Sequence, residues 1–210
     1  MRLNSFILCI RRASNFIDKL SNRVKFSAYG VKYGKNLCVH GMVGLSVGNK
    51  SSFTIGDNFY FSSGKHINPL CSNKQGGLHV NSGALLTIGN NVGMSSTVIW
   101  CHKSIAIGTN VKVGANSYIL DSDCHSINFE HRRTLSIDKH HKHDAPIVIE
   151  DDVLIGMNCM ILKGVTIGAR SIIGAGSVVT KSIPADCIAA GNPAKVIKQL
   201  KIEKNESILF

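Results

Sequence analysis

The stretch that decides the fold runs Ile149-Glu150-Asp151-Asp152-Val153-Leu154-Ile155-Gly156-Met157-Asn158-Cys159-Met160-Ile161-Leu162-Lys163-Gly164-Val165-Thr166-Ile167-Gly168-Ala169-Arg170-Ser171-Ile172-Ile173-Gly174-Ala175-Gly176-Ser177-Val178-Val179. An aliphatic residue returns at every sixth position: Ile149, Ile155, Ile161, Ile167, Ile173 and Val179. Four places after each comes a small or β-branched residue, Val153, Cys159, Val165, Ser171 and Ser177, and Gly156, Gly168 and Gly174 directly follow their aliphatic partner. A period of six belongs neither to an amphipathic helix nor to an alternating strand. It is the period of a parallel β-helix, in which each hexapeptide supplies a short strand and a turn, and stacked coils bury a continuous aliphatic column.

Working outward, the same phase holds at Ile107, Val113 and Ile119, with Gly108 and Gly114 in second position. Weaker copies occur at Ile88-Gly89-Asn90-Asn91, Ile55-Gly56-Asp57-Asn58, Val47-Gly48-Asn49-Lys50 and Tyr33-Gly34-Lys35-Asn36, and their uneven spacing predicts bulges and small loops. Gly and Asn at the corners suit turns with unusual backbone angles. Aromatics are only 6% of residues, which predicts an interior too narrow for large rings. The expected fold is mainly β, a parallel β-helix over 28–197, with a loop at 126–146 and a tail at 198–210. Residues 1–27 place Leu3, Ile7, Ile10, Ala13, Ile17, Leu20 and Val24 at three-four spacing, which predicts an amphipathic helical arm. Residues 126–146 hold no hexapeptide and carry Glu130, His131, Arg132, Arg133, His140, His141, Lys142 and His143, a polar loop of a length usually tied to function.

Composition narrows the class. The 210 residues are 44% hydrophobic, enough to fill a core, which excludes a disordered chain. Seven cysteines, odd in number and without a C-x-x-C pair, exclude a disulfide framework and a zinc ribbon, and reduced, mostly buried thiols are expected. The longest apolar run near the N-terminus, Phe6 to Ile10, is too short for a membrane span or a signal-peptide core, so a cytoplasmic location is expected. Net charge is +11, and the arm holds six basic residues against one acidic. That share suits subunit packing or loose contact with an anionic membrane surface better than nucleic-acid readout, and no nucleic-acid partner is expected.

The candidate chemistry lies in Asp121-Ser122-Asp123-Cys124-His125-Ser126, which follows three in-phase repeats and precedes the loop. A neutral imidazole can take a proton from an alcohol as it attacks and return it to a leaving group. His125 is the candidate base, and Asp121 or Asp123 the carboxylate that would orient it. His40, His66, His79 and His102 read as solvated or core histidines, and the loop histidines as a solvated basic surface.

These units, over roughly residues 30 to 197, resemble the hexapeptide-repeat acyltransferases. The ending Gly174-Ala175-Gly176-Ser177-Val178-Val179-Thr180-Lys181, then Ile183-Pro184 and Gly191-Asn192-Pro193-Ala194-Lys195, looks like the sugar and serine O-acetyltransferase branch. The resemblance implies a left-handed β-helix, a homotrimer, and an Asp-x-Asp-x-His motif whose base is His125. It implies acetyl-coenzyme A as acyl donor in a groove between subunits, with Gly156, Gly174 and Ala175 along its arm and Lys181, Lys195 and Lys198 at its phosphates. Trp100 and His143 are the candidate contacts to a carbohydrate acceptor, and Leu154 stands where related enzymes often have Trp. No metal is expected: zinc-dependent carbonic anhydrases of this type carry two of their histidines five apart, and the fifth residue after His125 is Glu130. The expected activity is acetyl transfer to a sugar hydroxyl of a surface polysaccharide. The alternatives are acetylation of serine or an antibiotic, a zinc hydratase, and a non-catalytic scaffold.

Overall fold

The computed structural model describes residues 17–64, 67–71 and 74–201. The first part of the expected arm and most of the expected tail lie outside them. Among the described residues, twenty strands wind into three flat faces. The first face stacks β1 (Lys32–Tyr33), β4 (Ser52–Ile55), β7 (Leu85–Ile88), β10 (Ser104–Ile107), β13 (Ile147–Ile149) and β16 (Thr166–Ile167). The second stacks β2 (Cys38–His40), β5 (Tyr60–Ser62), β8 (Gly93–Ser95), β11 (Lys112–Val113), β14 (Leu154–Ile155), β17 (Ile172–Ile173), β19 (Cys187–Gly191) and β20 (Ala194–Gln199). The third stacks β3 (Gly44–Val47), β6 (Gly77–Val80), β9 (Val98–Cys101), β12 (Tyr118–Leu120), β15 (Met160–Leu162) and β18 (Val178–Val179).

Every named pairing is parallel except the last, where β20 turns back antiparallel on β19. That reversal takes up the open edge of the second face, and it carries residues 198 and 199, expected in the tail, into a strand. The fold is a left-handed parallel β-helix.

The six-residue period is the core. Ile149, Ile155, Ile161, Ile167, Ile173 and Val179 are all buried and stack on Ile107, Val113 and Ile119 through the ladder pairings. The narrow-interior expectation fails at the N-terminal end, where Phe26, Phe53, Phe59 and Phe61 are all buried. Phe61 fits because Gly76 faces it: a Cβ there would lie 2.5 Å from the ring.

One corner, between the first and second faces, is a spine. Asn36, Asn58, Asn91, Asn110 and Asp152 occupy it in successive coils, all with positive φ between 57° and 61°. Each asparagine Nδ2 donates to the next residue's Oδ1, at 2.8, 2.8, 3.0 and 2.9 Å. Asparagine tolerates the left-handed angle and supplies both donor and acceptor, which is why it recurs here.

The helical arm, α1 (17–28), closes the N-terminal end, with its apolar residues reversed from the usual arrangement. Phe26 enters the core, while Asn22 donates to the carbonyls of Val39 and Gly41, Arg23 to Leu37 and Lys25 to Val43. Asp18 accepts the Gly41 N–H. Among the described residues no coil lies beneath the first, and its open backbone groups are met by polar side chains of the helix. Ile17, Leu20 and Val24 remain exposed.

The loop after β12 is ordered, with a 3₁₀ turn at His131–Arg133 and a helix α2 (Leu135–His141). Among the described residues, no helix is long and apolar enough to cross a membrane.

Candidate active site

At the corner between the third and first faces lies an open cleft of about 910 Å³. Its wall comes from the ends of β3, β6 and β9, its rim from Cys124 and His125, and its roof from α2 through Leu135, Asp138 and Lys139. Tyr29, directly after α1, completes it.

His125 stands at the mouth with its side chain 67% exposed. Its Nδ1 lies 2.6 Å from Oδ2 of Asp138, a buried carboxylate whose other oxygen accepts the Ser126 N–H at 2.7 Å. The His125 hydrogen bond, with that of Ser126, holds the Asp138 carboxyl below its usual range, so it is ionised and accepts only. In the neutral ring Nδ1 therefore carries the hydrogen, which leaves the Nε2 lone pair without a partner among the described residues. That is the tautomer a general base needs.

The sequence points to Asp121 or Asp123 as the carboxylate beside His125, but the structure places Asp138 on the ring instead. Asp121 is fully buried and accepts the backbone N–H groups of His102 at 2.6 Å and of Lys103 and Ser104 at 2.8 Å, so it shapes the turn after β9. Asp123 pairs with Lys163 at 3.4 Å. Neither carboxylate bonds to the imidazole.

Trp100 lines the cleft 43% exposed, its Nε1–H donating to Asn81 Oδ1 at 3.1 Å. That bond turns the Asn81 amide so that Nδ2 donates to His102 Nδ1 at 2.9 Å, and Lys142 Nζ donates to the same nitrogen at 3.2 Å. His102 is thus a second cleft histidine, held with its hydrogen on Nε2; burial, then the Lys142 charge, lowers its pKa. In the sequence it is one of four scattered histidines, with no motif around it to mark it out. The stacked β9 and β12 put it next to Cys124, whose Sγ lies 4.0 Å away. Burial raises the Asp144 carboxyl, but bonds from Lys142 and Ser122 outweigh it and keep it ionised. His143 does not line the cleft; its carbonyl accepts the Asp123 N–H instead.

A second groove, about 540 Å³, runs along the corner between the second and third faces and includes Gly156, Met157, Leu154 and Leu70. A Cβ on Gly156 would lie 2.5 Å from Ala175 N, and one on Gly174 2.9 Å from Ala190 Cβ, so stacking of successive coils already requires both glycines. The three candidate lysines do not cluster. Lys181 follows β18 at the His125 corner, while Lys195 and Lys198 lie on β20.

Burial raises the thiol of Cys101 to about 12 and also raises that of Cys124, so neither is a ready nucleophile. Among the described residues no group of three His, Cys, Asp or Glu is placed to hold a metal ion.

The family described as bacterial transferase hexapeptide (six repeats) matches residues 146–181, and the hexapeptide repeat of succinyl-transferase matches 86–121. A 2,3,4,5-tetrahydropyridine-2,6-dicarboxylate N-acetyltransferase of Staphylococcus aureus is 56% identical over 55 residues. That match covers 26% of this chain and only 23% of the curated relative. A hexapeptide-repeat containing acetyltransferase from Vibrio cholerae is 30% identical with a TM-score of 0.51, and 74% of each chain is covered. It has also been solved with acetyl coenzyme A. The polySia specific acetyltransferase NeuO is 26% identical with a TM-score of 0.59, over 85% of this chain and 87% of that one. By its repeats, its coil architecture and these likenesses, the chain belongs to the hexapeptide-repeat acyltransferases.

Proposed function

We propose that the protein is an acetyl-coenzyme A-dependent O-acetyltransferase acting on a sugar hydroxyl of a surface polysaccharide. The observation that carries this reading is the His125–Asp138 pair, which leaves Nε2 unpartnered among the described residues at the mouth of a cleft. His125 takes the proton of the acceptor hydroxyl as the oxygen attacks, and returns it to the departing thiolate. Asp138 holds the ring and stabilises its charged form meanwhile. Trp100 offers an exposed aromatic face of the kind on which a sugar ring packs, and Asn81 holds that face in place.

Acetyl-coenzyme A supplies the activated acetyl group. The residues of the second groove suit such a donor, since its apolar walls of Leu154, Met157 and Leu70 match a pantetheine arm and Lys112 stands on the same wall. Gly156, Ala175 and Gly174 continue that corner coil by coil, and Lys181, Lys195 and Lys198 are exposed cations for the phosphates. Within one chain the groove and the His125 cleft occupy opposite edges of the third face. A homotrimer, which would set the groove of one copy against the cleft of another, is the arrangement in which they meet. Light scattering should give three chains per particle at micromolar concentration, and a monomer would remove this basis for a shared site.

The decisive experiment follows coenzyme A release with a panel of glycans, comparing wild type and His125→Ala. Loss of about 10²- to 10⁴-fold in turnover with an unchanged fold is expected, and unchanged turnover would sink the mechanism. Similarity to an N-acetyltransferase favours an amine acceptor as a second reading. Alkali settles between them, since an O-acetyl ester is cleaved under conditions that leave an amide intact.

A further inference from the structure

The outer face of α1 is apolar and exposed. Ile17, Leu20 and Val24 are 63%, 56% and 63% exposed, while Phe26 and Asn22 are buried. At about 100° per residue the three aliphatic side chains form one narrow stripe, roughly opposite Phe26 and Asn22. The polar face is fastened to the first coil by the hydrogen bonds of Asp18, Asn22, Arg23 and Lys25, so the stripe cannot roll inward without breaking them.

We propose that α1 is a docking helix whose apolar stripe seats in an anionic lipid bilayer, so that the cleft opens beside the lipid surface. Three observations select this occupant. The chain up to residue 27 carries six basic residues and one acidic, so an anionic surface attracts it while a second copy of the same arm repels it. Three aliphatic residues cover far less than the ~800 Å² per partner of a stable protein interface, whereas interfacial helices bind through narrow apolar faces rimmed by cations. Finally, α1 leads straight into Tyr29, which lines the cleft, so a helix lying on a membrane brings the cleft to it.

The test is sedimentation of the full chain with phosphatidylcholine vesicles, with and without phosphatidylglycerol. Wild type should pellet with the anionic vesicles only and be released by high salt. The Ile17→Ser/Leu20→Ser/Val24→Ser variant should lose at least about tenfold in binding, while its melting temperature and coenzyme A release stay unchanged. A Leu20→Trp variant keeps the stripe apolar, and its emission should shift to the blue on anionic vesicles. The proposal is overturned if wild type binds neither vesicle, if the triple variant binds equally well, if the Leu20→Trp emission does not move, or if the triple variant falls apart as an oligomer while still binding lipid. Vesicle binding is read without any acyl transfer, so its failure is separate from failure of the transferase reading.

Discussion

Asp138 stands thirteen positions after His125, and α2 exists to bring it back. An amide there can offer its NH₂ to Nδ1 and favour the wrong tautomer, so Asp138→Asn should lower kcat at least about tenfold with little change in KM. A merely structural role would leave the shape of the pH–rate profile intact, and the variant's profile should change shape. The Asp138 carboxyl is depressed from an ordinary 3.8, so its contribution to loop order is complete above that value and fades as pH falls through the lower folded one. Hydrogen-exchange protection at 126–146, taken relative to the intrinsic rate at each pH, should therefore fall below about pH 4 in wild type and stay constant across that range in Asp138→Asn. His125 stands out in the sequence as a candidate because it ends a periodic run. Asp138 was not, because it lies on a short helix inside an aperiodic loop, where spacing carries no information on what folds back onto what.

Among the elements, the coils were readable and the arm only half so. Three-four spacing predicts α1, but the usual rule that the apolar stripe faces the core fails. Backbone carbonyls of the first coil need donors, and Asn22, Arg23 and Lys25 provide them. Periodicity reports that a helix has two faces without saying which one meets an edge of unpaired backbone. The asparagine spine has a similar logic and a measurable size. Asn91 accepts from Asn58, donates to Asn110 and holds a φ of 57°. Asn91→Ala should cost about 1–3 kcal/mol by denaturant melting, from the lost bonds and the left-handed angle together. Asn91→Gly keeps the angle open and should lose less.

For the whole molecule, the sequence makes the fold class plain because a column of buried aliphatics every six residues has few alternatives. The third-to-first-face corner, where the cleft lies, was legible only as a place where the repeat breaks. The spine explains where such breaks are tolerated. Its rungs are 22, 33, 19 and 42 residues apart, yet from the aliphatic residue before each rung to the apolar residue after it, Ile55 to Phe59, Ile88 to Val92, Ile107 to Val111 and Ile149 to Val153, the count is always four. All variation in coil length is thus carried by the other two corners. One extra residue between Asn91 and Val92 should leave the chain unable to fold, while the same insertion after Phe129 should leave melting unchanged. The one-way amide ladder acts as a ruler that counts coils and ignores their circumference, so the remaining corners are free to lengthen into loops, and new acceptor pockets can arise there without the stack losing its place.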